Sequence, residues 1–233
     1  MNKFKKILLC ILNPHFYKAY TFGVSPLFEL SPLLNHLNQI KTIIDIGSNK
    51  GQFLLLIKSY FPQSKIYSFE PQKKYLNIQK KILSKKNIRY FNIGLGNKKK
   101  IEKFYVTNRE DSSSFLKPIK KKMNEYKLKY IQKIKLDKLQ NIINTKEIKR
   151  PSLIKLDVQG FELESLKGAK KILKNIDFII TEMSYQTIYD KQISNKKLIQ
   201  FLKINNFIKI KTVNITKTNN KLFQSDVLFK KNK

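Results

Sequence analysis

Residues 42–51 read TIIDIGSNKG and residues 66–71 read IYSFEP, and an apolar run lies between them. The first segment predicts a buried strand followed by a glycine-containing turn, and the second predicts a strand that ends at Glu70. A strand, a turn, a helix and a second strand in this order form the unit in which α/β proteins hold nucleoside-containing ligands. These residues therefore predict an α/β fold with a ligand site at the end of the first strand.

The turn itself indicates which ligand it holds. Gly47 and Gly51 allow the backbone to bend sharply, and Asn49 stands where a dinucleotide-binding loop has its middle glycine, which disfavours a pyrophosphate. Asp45 offers a carboxylate for the ammonium of a methionine moiety. Glu70 follows it by 25 residues, near the ~20-residue offset at which an acid binds ribose hydroxyls. The pattern favours S-adenosylmethionine; the alternative is that the glycines only end a strand and that Glu70 caps the next helix.

The length and composition indicate one globular unit. With 233 residues, of which 41% are hydrophobic, the chain can bury a substantial core, and one α/β domain is the natural count. Cys10 is the only cysteine, which excludes an internal disulfide framework and a cysteine-rich zinc site. We expect a reducing, cytoplasmic location on this basis.

The chain is strongly basic, with a formal net charge of +32, and 45 of its 48 basic residues are lysine. A basic surface attracts phosphate without regard to sequence, but specific phosphate and base recognition favours the guanidinium of arginine. The lysines are scattered among abundant asparagine and isoleucine, so we interpret them as a solvated surface and do not expect a nucleic-acid partner. An RNA-binding or RNA-methylating basic protein is the alternative.

Residues 1–40 precede the first predicted strand, and we expect a helical extension packed on a core domain of residues 41–233. The apolar run at 7–12 has six residues, too few for a membrane span or for a secretion signal. The alternative is a peripheral contact with the anionic inner face of a membrane. Lysines would then meet the headgroups and apolar side chains would lie below them; the residues concerned are Lys3, Lys5 and Lys6, and Phe4, Ile7 and Leu8.

Strand-like and helical patterns alternate through the rest of the chain without a linker. Strands are predicted at 88–93, 101–107, 131–137, 153–158 and 178–183, and helices at 161–173 and 195–204. Residues 111–129 are expected to be a loop with a helical piece, and residues 207–213 and 221–229 to form a terminal pair of strands. The pattern predicts a mostly parallel, doubly wound sheet with an antiparallel C-terminal hairpin.

Six segments in a fixed order carry a family resemblance. They are DIGSNKGQF from Asp45, SFEP from Ser68, DSSS from Asp111, LIKLDVQGFELESLKGA from Leu153, TEMSY from Thr181 and SDVLF from Ser225. Together they resemble the FkbM family of methyltransferases over nearly the whole chain. The resemblance implies a class I Rossmann-like methyltransferase fold, S-adenosylmethionine as the methyl donor, and O-methylation of a hydroxyl on a sugar or glycan-type acceptor.

The resemblance also implies roles for individual residues. One position departs from the family, which often has glutamate where this chain has Gln159. The resemblance assigns Asp45 and Gly47 to the cofactor loop, Glu70 to the ribose and Asn92 to the surroundings of adenine. We expect Asn49 and Gly51 of the same loop to bind the cofactor as well.

Methyl transfer to a hydroxyl needs an aligned acceptor oxygen and a base or metal ion as the proton leaves. Asp157 and Glu182 each end a predicted strand at the ligand-binding edge of the sheet. One could act as the base, or both could hold a divalent cation. The alternatives are that Asp157 caps a helix, that Glu182 is a solvated acid, or that the chain is a non-catalytic nucleoside-binding scaffold. The serines at 112–114 could contact the acceptor or form an ordinary turn. The tyrosines at 185 and 189 could contact the acceptor or mark the buried face of a helix.

Overall fold

The computed structural model describes residues 3–83, 86–119 and 126–232. This part of the chain contains the strands β1 (Thr42–Ile46), β2 (Lys65–Phe69), β3 (Ile88–Phe91), β4 (Gly94–Leu95), β5 (Lys100–Thr107), β6 (Leu128–Asp137), β7 (Ser152–Leu156), β8 (Phe178–Ser184), β9 (Phe207–Val213), β10 (Lys217–Thr218), β11 (Lys221–Leu222) and β12 (Gln224–Lys231). Its α-helices are α1 (Lys3–Leu12), α2 (Pro14–Thr21), α3 (Ser31–Leu34), α4 (Gln52–Tyr60), α5 (Lys73–Ile82), α6 (Leu139–Ile142), α7 (Glu162–Lys167) and α8 (Asn195–Ile204).

Seven of the strands form the central sheet, in the order β3-β2-β1-β7-β8-β12-β9. The first five run parallel, and β12 runs antiparallel to both β8 and β9. Every residue of β1 and β7 is buried, because helices cover both faces of the parallel part. The predicted mostly parallel, doubly wound sheet with an antiparallel C-terminal hairpin is confirmed.

Alternating side chains of the central strands supply two cores, one on each face of the sheet. Ile44 and Ile154 belong to a core with residues of α6, α7 and α8. Ile43 and Leu153 belong to a second core with residues of α1 to α5. Because both faces are filled, the carboxyl ends of the parallel strands are the place where a ligand can bind.

A small sheet, in the order β4-β6-β5, is inserted between β3 and β7. The sequence pattern located two of its strands but did not separate them from the main sheet, and it began β6 three residues late. Residues 120–125 lie outside the described residues, so the helical piece expected within 111–129 stays a prediction there. A bridge joins Tyr105 to Ser114, and the Ser114 hydroxyl donates to the backbone carbonyl oxygen of Gln159 at 2.8 Å. The insertion therefore reaches the carboxyl end of β7.

The helix predicted at 161–173 is shorter than expected, because α7 ends at Lys167. Gly168 follows, and a Cβ atom there would lie 2.0 Å from the carbonyl oxygen of Gly96. This close contact with the inserted sheet ends the regular helix, and a short 3-10 helix at Leu173–Asn175 follows. The prediction for α8 is confirmed at both ends.

The residues before β1 are largely helical. α1 and α2 pack against each other and insert Cys10, Phe16 and Ala19 into the core beside α4 and α5. Within the described ranges, no helix combines the length and the apolar character needed to cross a bilayer. The division of the chain at residue 40 stays a prediction, because the extension and the following residues share one core.

Candidate active site

Two adjoining clefts open at the carboxyl ends of the central strands. The loop cleft, at β1, β2 and β7, has an empty volume of about 840 Å³ when the solvent space at its opening is included. The carboxylate cleft, which reaches β8 and β12, measures about 810 Å³ on the same basis. Lys155, Asp157 and Gln159 line both clefts. A group bound in one cleft can therefore meet a group bound in the other.

The turn after β1 forms one side of the loop cleft. Gly47 has a φ of +80°, and a Cβ atom there would lie 2.0 Å from the carbonyl oxygen of Asp157. Gly51, immediately before α4, has a φ of +91°, and Asn49 between them has a φ of +47°. Position 47 thus needs glycine for close approach, and position 51 needs it for a left-handed turn.

Buried polar side chains support this turn from behind. The hydroxyls of Ser48 and Ser68 lie 2.8 Å apart, Ser68 donates to Gln79 Oε1 at 2.7 Å, and Gln79 Nε2 donates to Ser48 Oγ at 2.8 Å. All three residues are buried, so their mutual bonds replace those to water. Sequence reasoning missed this triad; a polar glutamine on the buried side of α5 is the signal that could have revealed it.

Glu70 follows β2 and lines the loop cleft. Its carboxylate accepts hydrogen bonds from the backbone N–H groups of Asn49 at 2.9 Å and Gln72 at 2.7 Å. Burial raises the pKa of Glu70 to about 7, although these two bonds oppose the rise. The carboxylate is thus fixed beside the turn, and its remaining lone pairs can accept ligand hydroxyls.

Asp45 lies at the end of β1, and it is fully buried. Neither of its carboxylate oxygens has a hydrogen-bond partner among the described residues, and Nζ of Lys155 is 3.8 Å away. Burial raises the pKa of Asp45 to about 6, against the lowering effect of Lys155. Asp45 does not belong to the lining of the loop cleft, so direct contact of its carboxylate with a methionine ammonium stays a prediction.

Asn92 does not belong to the lining of the loop cleft. Its side-chain amide donates to the carbonyl oxygens of Glu70 at 3.0 Å and Pro71 at 2.8 Å, which braces the chain after β2. Ile93 lines the cleft instead, on an apolar wall that includes Phe69, Leu95, Phe115 and Val158. Such a wall suits a flat aromatic ligand group, and the expected role of Asn92 near adenine stays a prediction.

Asp157 and Glu182 lie together in the carboxylate cleft. The Gln159 amide bridges them, because Nε2 donates to Asp157 Oδ1 at 2.9 Å and to Glu182 Oε2 at 3.0 Å. Gln224 donates to the same oxygen of Glu182 at 3.0 Å, and Lys155 Nζ lies 3.2 Å from Asp157 Oδ2. Both carboxylates are therefore held in fixed orientations by neutral or cationic donors.

Burial and neighbouring charges set the protonation of this cleft. Burial, followed by the charges of Asp157 and Asp226, raises the pKa of Glu182 well above its ordinary value. Burial lowers the pKa of Lys155, but Asp157 and Asp45 more than compensate and raise it above the usual value of a lysine. The surroundings thus favour a neutral Glu182 beside a charged Lys155.

Asp226 is a further carboxylate of this cleft that sequence reasoning missed. It lies on β12, opposite Glu182 on β8, and its Oδ2 accepts a hydrogen bond from Asn214 at 2.9 Å. Burial raises the pKa of Asp226 to about 6. The sequence signal that could have revealed it is an acidic residue within a strand-like segment, between Ser225 and Val227, which are both buried.

Gln159 is held on several sides. Its φ is +54°, the Tyr189 hydroxyl lies 3.0 Å from its Oε1, and the same hydroxyl lies 2.5 Å from the carbonyl oxygen of Ser112. Ser112 and Ser114 are buried and form part of this support. Tyr189 is also buried, which excludes it from stacking on a surface acceptor, whereas Tyr185 is exposed.

A divalent cation between Asp157 and Glu182 was the alternative to a base. In the ranges that the structure describes, no three or more histidine, cysteine, aspartate or glutamate side chains are grouped to hold a metal ion. The amide of Gln159 occupies the space between the two carboxylates, and its hydrogens point at oxygens that a cation would need. The metal alternative stays a prediction.

Comparison with known proteins agrees with this geometry. Residues 45–209 match the family model described as the methyltransferase FkbM domain. Over 170 residues, the chain is 24% identical to 2-O-methyltransferase NoeI of Sinorhizobium fredii, a match that covers 69% of this chain and 70% of that protein. A segment of 42 residues, 18% of each chain, is 38% identical to hexuronic acid methyltransferase AglP of Haloferax volcanii.

Solved structures show the same fold. Sp1610 of Streptococcus pneumoniae, in complex with S-adenosyl-L-methionine, superposes with a TM-score of 0.52 at 12% identity, over 89% of this chain and 74% of that one. The loop cleft fits this cofactor, because the Glu70 carboxylate suits its ribose hydroxyls and the apolar wall with Ile93 and Leu95 suits its flat adenine ring. The protein is an S-adenosylmethionine-dependent methyltransferase with a class I fold, and the chain belongs to the FkbM methyltransferase family.

Proposed function

We propose that this methyltransferase O-methylates a hydroxyl of a sugar or glycan-type acceptor. The observation that carries the proposal is the shared wall of the two clefts, where Asp157 lines both. An acceptor in the carboxylate cleft would place its hydroxyl between this carboxylate and a methyl group presented from the loop cleft. The names of two relatives, a 2-O-methyltransferase and a hexuronic acid methyltransferase, support a sugar acceptor.

The loop cleft would hold the cofactor through both backbone and side chains. S-adenosylmethionine, when bound, supplies an electrophilic methyl group on a sulfonium. Glu70 accepts hydrogen bonds from the ribose hydroxyls, with Asn92 bracing the chain behind it. The residues of the turn, Gly47, Asn49 and Gly51, bring the backbone close to the ligand, and Asp45 balances positive charge from the end of β1.

Asp157 is the base in this mechanism. Lys155 Nζ at 3.2 Å and Gln159 Nε2 at 2.9 Å orient its two oxygens at the boundary of the clefts. With the cofactor bound, Asp157 would take the proton of the acceptor hydroxyl as that oxygen receives the methyl group from the sulfonium, which leaves as the neutral thioether. The products are the methyl ether, the protonated carboxyl and S-adenosylhomocysteine.

Glu182 suits a different role in the same cleft. Its raised pKa favours the neutral carboxyl, which can donate a hydrogen bond to an acceptor oxygen as well as accept one. Gln224 fixes one of its oxygens, and Asp226 lies opposite on β12. We assign Glu182 to acceptor positioning, with Asp226 as a second partner for hydroxyl groups.

An RNA substrate is the alternative, and the carboxylate cleft argues against it. Asp157, Glu182 and Asp226 line this cleft, and carboxylates repel the phosphates of a nucleic acid. Hydroxyl-rich acceptors, in contrast, pair well with carboxylates and amides. A non-catalytic scaffold is excluded if methyl transfer is measured.

The experiment is transfer of a labelled methyl group from S-adenosylmethionine to a panel of saccharides, with wild type and Asp157→Asn compared. Turnover should fall by about 10²–10⁴-fold in the variant, while calorimetry finds the cofactor affinity unchanged. Asp190→Asn is the matched control, because Asp190 is exposed and lines neither cleft. Unchanged turnover in Asp157→Asn would remove that residue from the mechanism, and transfer to RNA but to no saccharide would overturn the acceptor class.

A further inference from the structure

The two N-terminal helices expose an unusual amount of apolar surface. Leu12 is 71% exposed and Ile11 is 51% exposed, and the side chains of Leu8 and Leu9 are also exposed. On a helix these four positions share one side, opposite the fully buried Cys10. Aromatic residues on α2 and just after it extend this surface. We call the whole set the N-terminal apolar face: Leu8, Leu9, Ile11, Leu12, Tyr17, Tyr20 and Phe22.

The N-terminal apolar face is not the result of loosely attached helices. Cys10, Phe16 and Ala19 are buried in the core that contains α4 and α5, and Lys6 forms an ion pair with Glu29. Each helix thus buries one side and still presents a second apolar side outward. Single exposed leucines are common, but a contiguous apolar group on a monomer usually marks an interaction site.

This assignment changes which residues meet the partner. The sequence suggested Ile7 and Leu8 as inserting residues and Lys6 as a headgroup contact. Ile7 is only half-exposed and Lys6 is engaged with Glu29, so the outward residues are Leu8 and its neighbours on the same side of α1. The side chains of residues 3–5 lie outside the described part of the chain.

The charge around this face has a single sign. The helices α1, α2, α4 and α5 contain nine lysines and no aspartate or glutamate, and the first acidic residue of the chain is Glu29. Lys81 Nζ lies 6.0 Å from the centre of the Phe22 ring. Burial and the nearby charge of Lys86 lower the pKa of Lys58. This layer of the protein is therefore strongly cationic and favours an anionic partner.

An apolar groove opens in the same layer of helices. It lies between α2, α4 and α5, with Phe16, Leu55, Ile82 and Leu83 in its lining and Lys58 at its side. Lysine stems cover apolar surface well while their ammonium groups reach outward. A partner that is apolar in its interior and anionic at its surface would satisfy both the groove and the lysines.

We propose that the N-terminal apolar face docks the enzyme on the surface of an anionic lipid bilayer. The exposed side chains of α1 and α2 enter the boundary between headgroups and acyl chains, and the surrounding lysines contact the anionic headgroups. A second copy of this chain fits less well, because two cationic layers repel each other. RNA matches the charge but offers no apolar region for the leucines. This inference is independent of the acceptor proposed above.

Vesicle flotation of the full chain tests the proposal. The protein should float with phosphatidylcholine vesicles that contain phosphatidylglycerol and stay behind with phosphatidylcholine alone. The variant Ile11→Asp/Leu12→Asp should lower the partition coefficient at least about tenfold, because it removes two exposed aliphatic side chains from the contact. Its affinity for S-adenosylhomocysteine should not change, which shows that the fold is intact.

Ile204→Asp is the matched control. Ile204 is the last residue of α8 and is 73% exposed, but α8 packs on the opposite face of the sheet, so this variant should float like wild type. Equal flotation of wild type and the double variant would overturn the proposal and assign the binding to lysine charge alone. Failure of wild type to float would also overturn it, and so would a dimer in solution, without vesicles, that Ile11→Asp/Leu12→Asp disrupts.

Discussion

The loop cleft and the carboxylate cleft share one wall but are built in different ways. The loop cleft is shaped by the backbone of residues 47–51 and by Glu70, which two backbone N–H groups hold. The carboxylate cleft is shaped by side chains that hold one another, with Gln159 and Gln224 donating to Glu182. The first arrangement depends on local chain geometry, and the second depends on the identity of individual side chains.

This difference determines which cleft can accept substitutions without disturbing the fold. A backbone turn that approaches Asp157 within contact distance tolerates few substitutions. The positions around Glu182 belong to strands whose pairing would survive a change of side chain. The loop cleft is therefore fixed with the fold, whereas we expect a few substitutions in the carboxylate cleft to alter the acceptor.

Gly47→Ala tests the backbone side of this comparison and should have the largest effect. The added Cβ atom would lie 2.0 Å from the Asp157 carbonyl oxygen, so the ends of β1 and β7 must separate. Calorimetry should find the affinity for S-adenosylmethionine lowered at least about a hundredfold, roughly 3 kcal/mol. Gly23→Ala is the control, because Gly23 has a φ of +68° with no atom within 4 Å of an added Cβ. Equal binding by the two variants would show that the collision at position 47 does not disturb the cofactor site.

Glu70→Gln tests how the loop cleft holds a buried acid. The folded-state pKa of about 7 lies above the usual 4.5, so this group's contribution to stability is present below pH 4.5 and is lost as pH rises through 7. Glutamine avoids the buried charge. The variant should therefore gain stability relative to wild type between about pH 4.5 and pH 8, by at most about 3 kcal/mol.

Urea unfolding of both proteins across this pH range, without cofactor, measures that gain. Altered hydrogen bonds to Asn49 and Gln72 add an offset that does not depend on pH, so the slope is the relevant quantity. Glu164→Gln is the control, since Glu164 is partly exposed beside Lys167 on α7. A flat difference between wild type and Glu70→Gln would mean that Glu70 is already charged throughout the range.

The same contrast explains how much the sequence could predict. The loop cleft was predictable because Gly47 and Asn49 lie in the turn after β1 and Glu70 follows the next strand. The side chains of the carboxylate cleft were less predictable, because Asp226 lies opposite Glu182 only through the antiparallel pairing of β12 with β8. Pairing of strands distant in sequence is decided by packing rather than by local pattern.

The inserted sheet was missed for a related reason. The strands β5 and β6 have ordinary strand patterns, and nothing in the local sequence says which sheet they join. Their separation is seen only in the strand pairing, because β6 pairs with β4 and β5 rather than with a strand of the central sheet. The role of Lys155 was missed as well, although a lysine within the buried segment LIKLD was a visible exception to the apolar pattern.

Gln159→Glu sharpens the side-chain half of the comparison. A third carboxylate beside Asp157 and Glu182 adds like charge, which makes deprotonation of the cluster harder. We expect the acidic limb of the pH profile of methyl transfer to move to higher pH by about one unit, with cofactor affinity unchanged. Gln200→Glu, at an exposed position on α8, should leave the profile in place. An unmoved profile in Gln159→Glu would show that the amide does not set the protonation of these acids.

Tyr189→Phe should give the smallest effect. The hydroxyl lies 3.0 Å from Gln159 Oε1 and 2.5 Å from the carbonyl oxygen of Ser112, and its removal leaves buried acceptors with fewer donors. The cost should be about 1–2 kcal/mol of unfolding free energy, with a modest loss of turnover as Gln159 gains freedom. Tyr185→Phe removes a hydroxyl that lies 3.0 Å from Ser225 Oγ on a residue that is exposed as a whole, and it should cost less. If Tyr189→Phe loses stability but keeps the wild-type acceptor selectivity, the tyrosine supports the fold alone, and the carboxylate cleft is positioned without it.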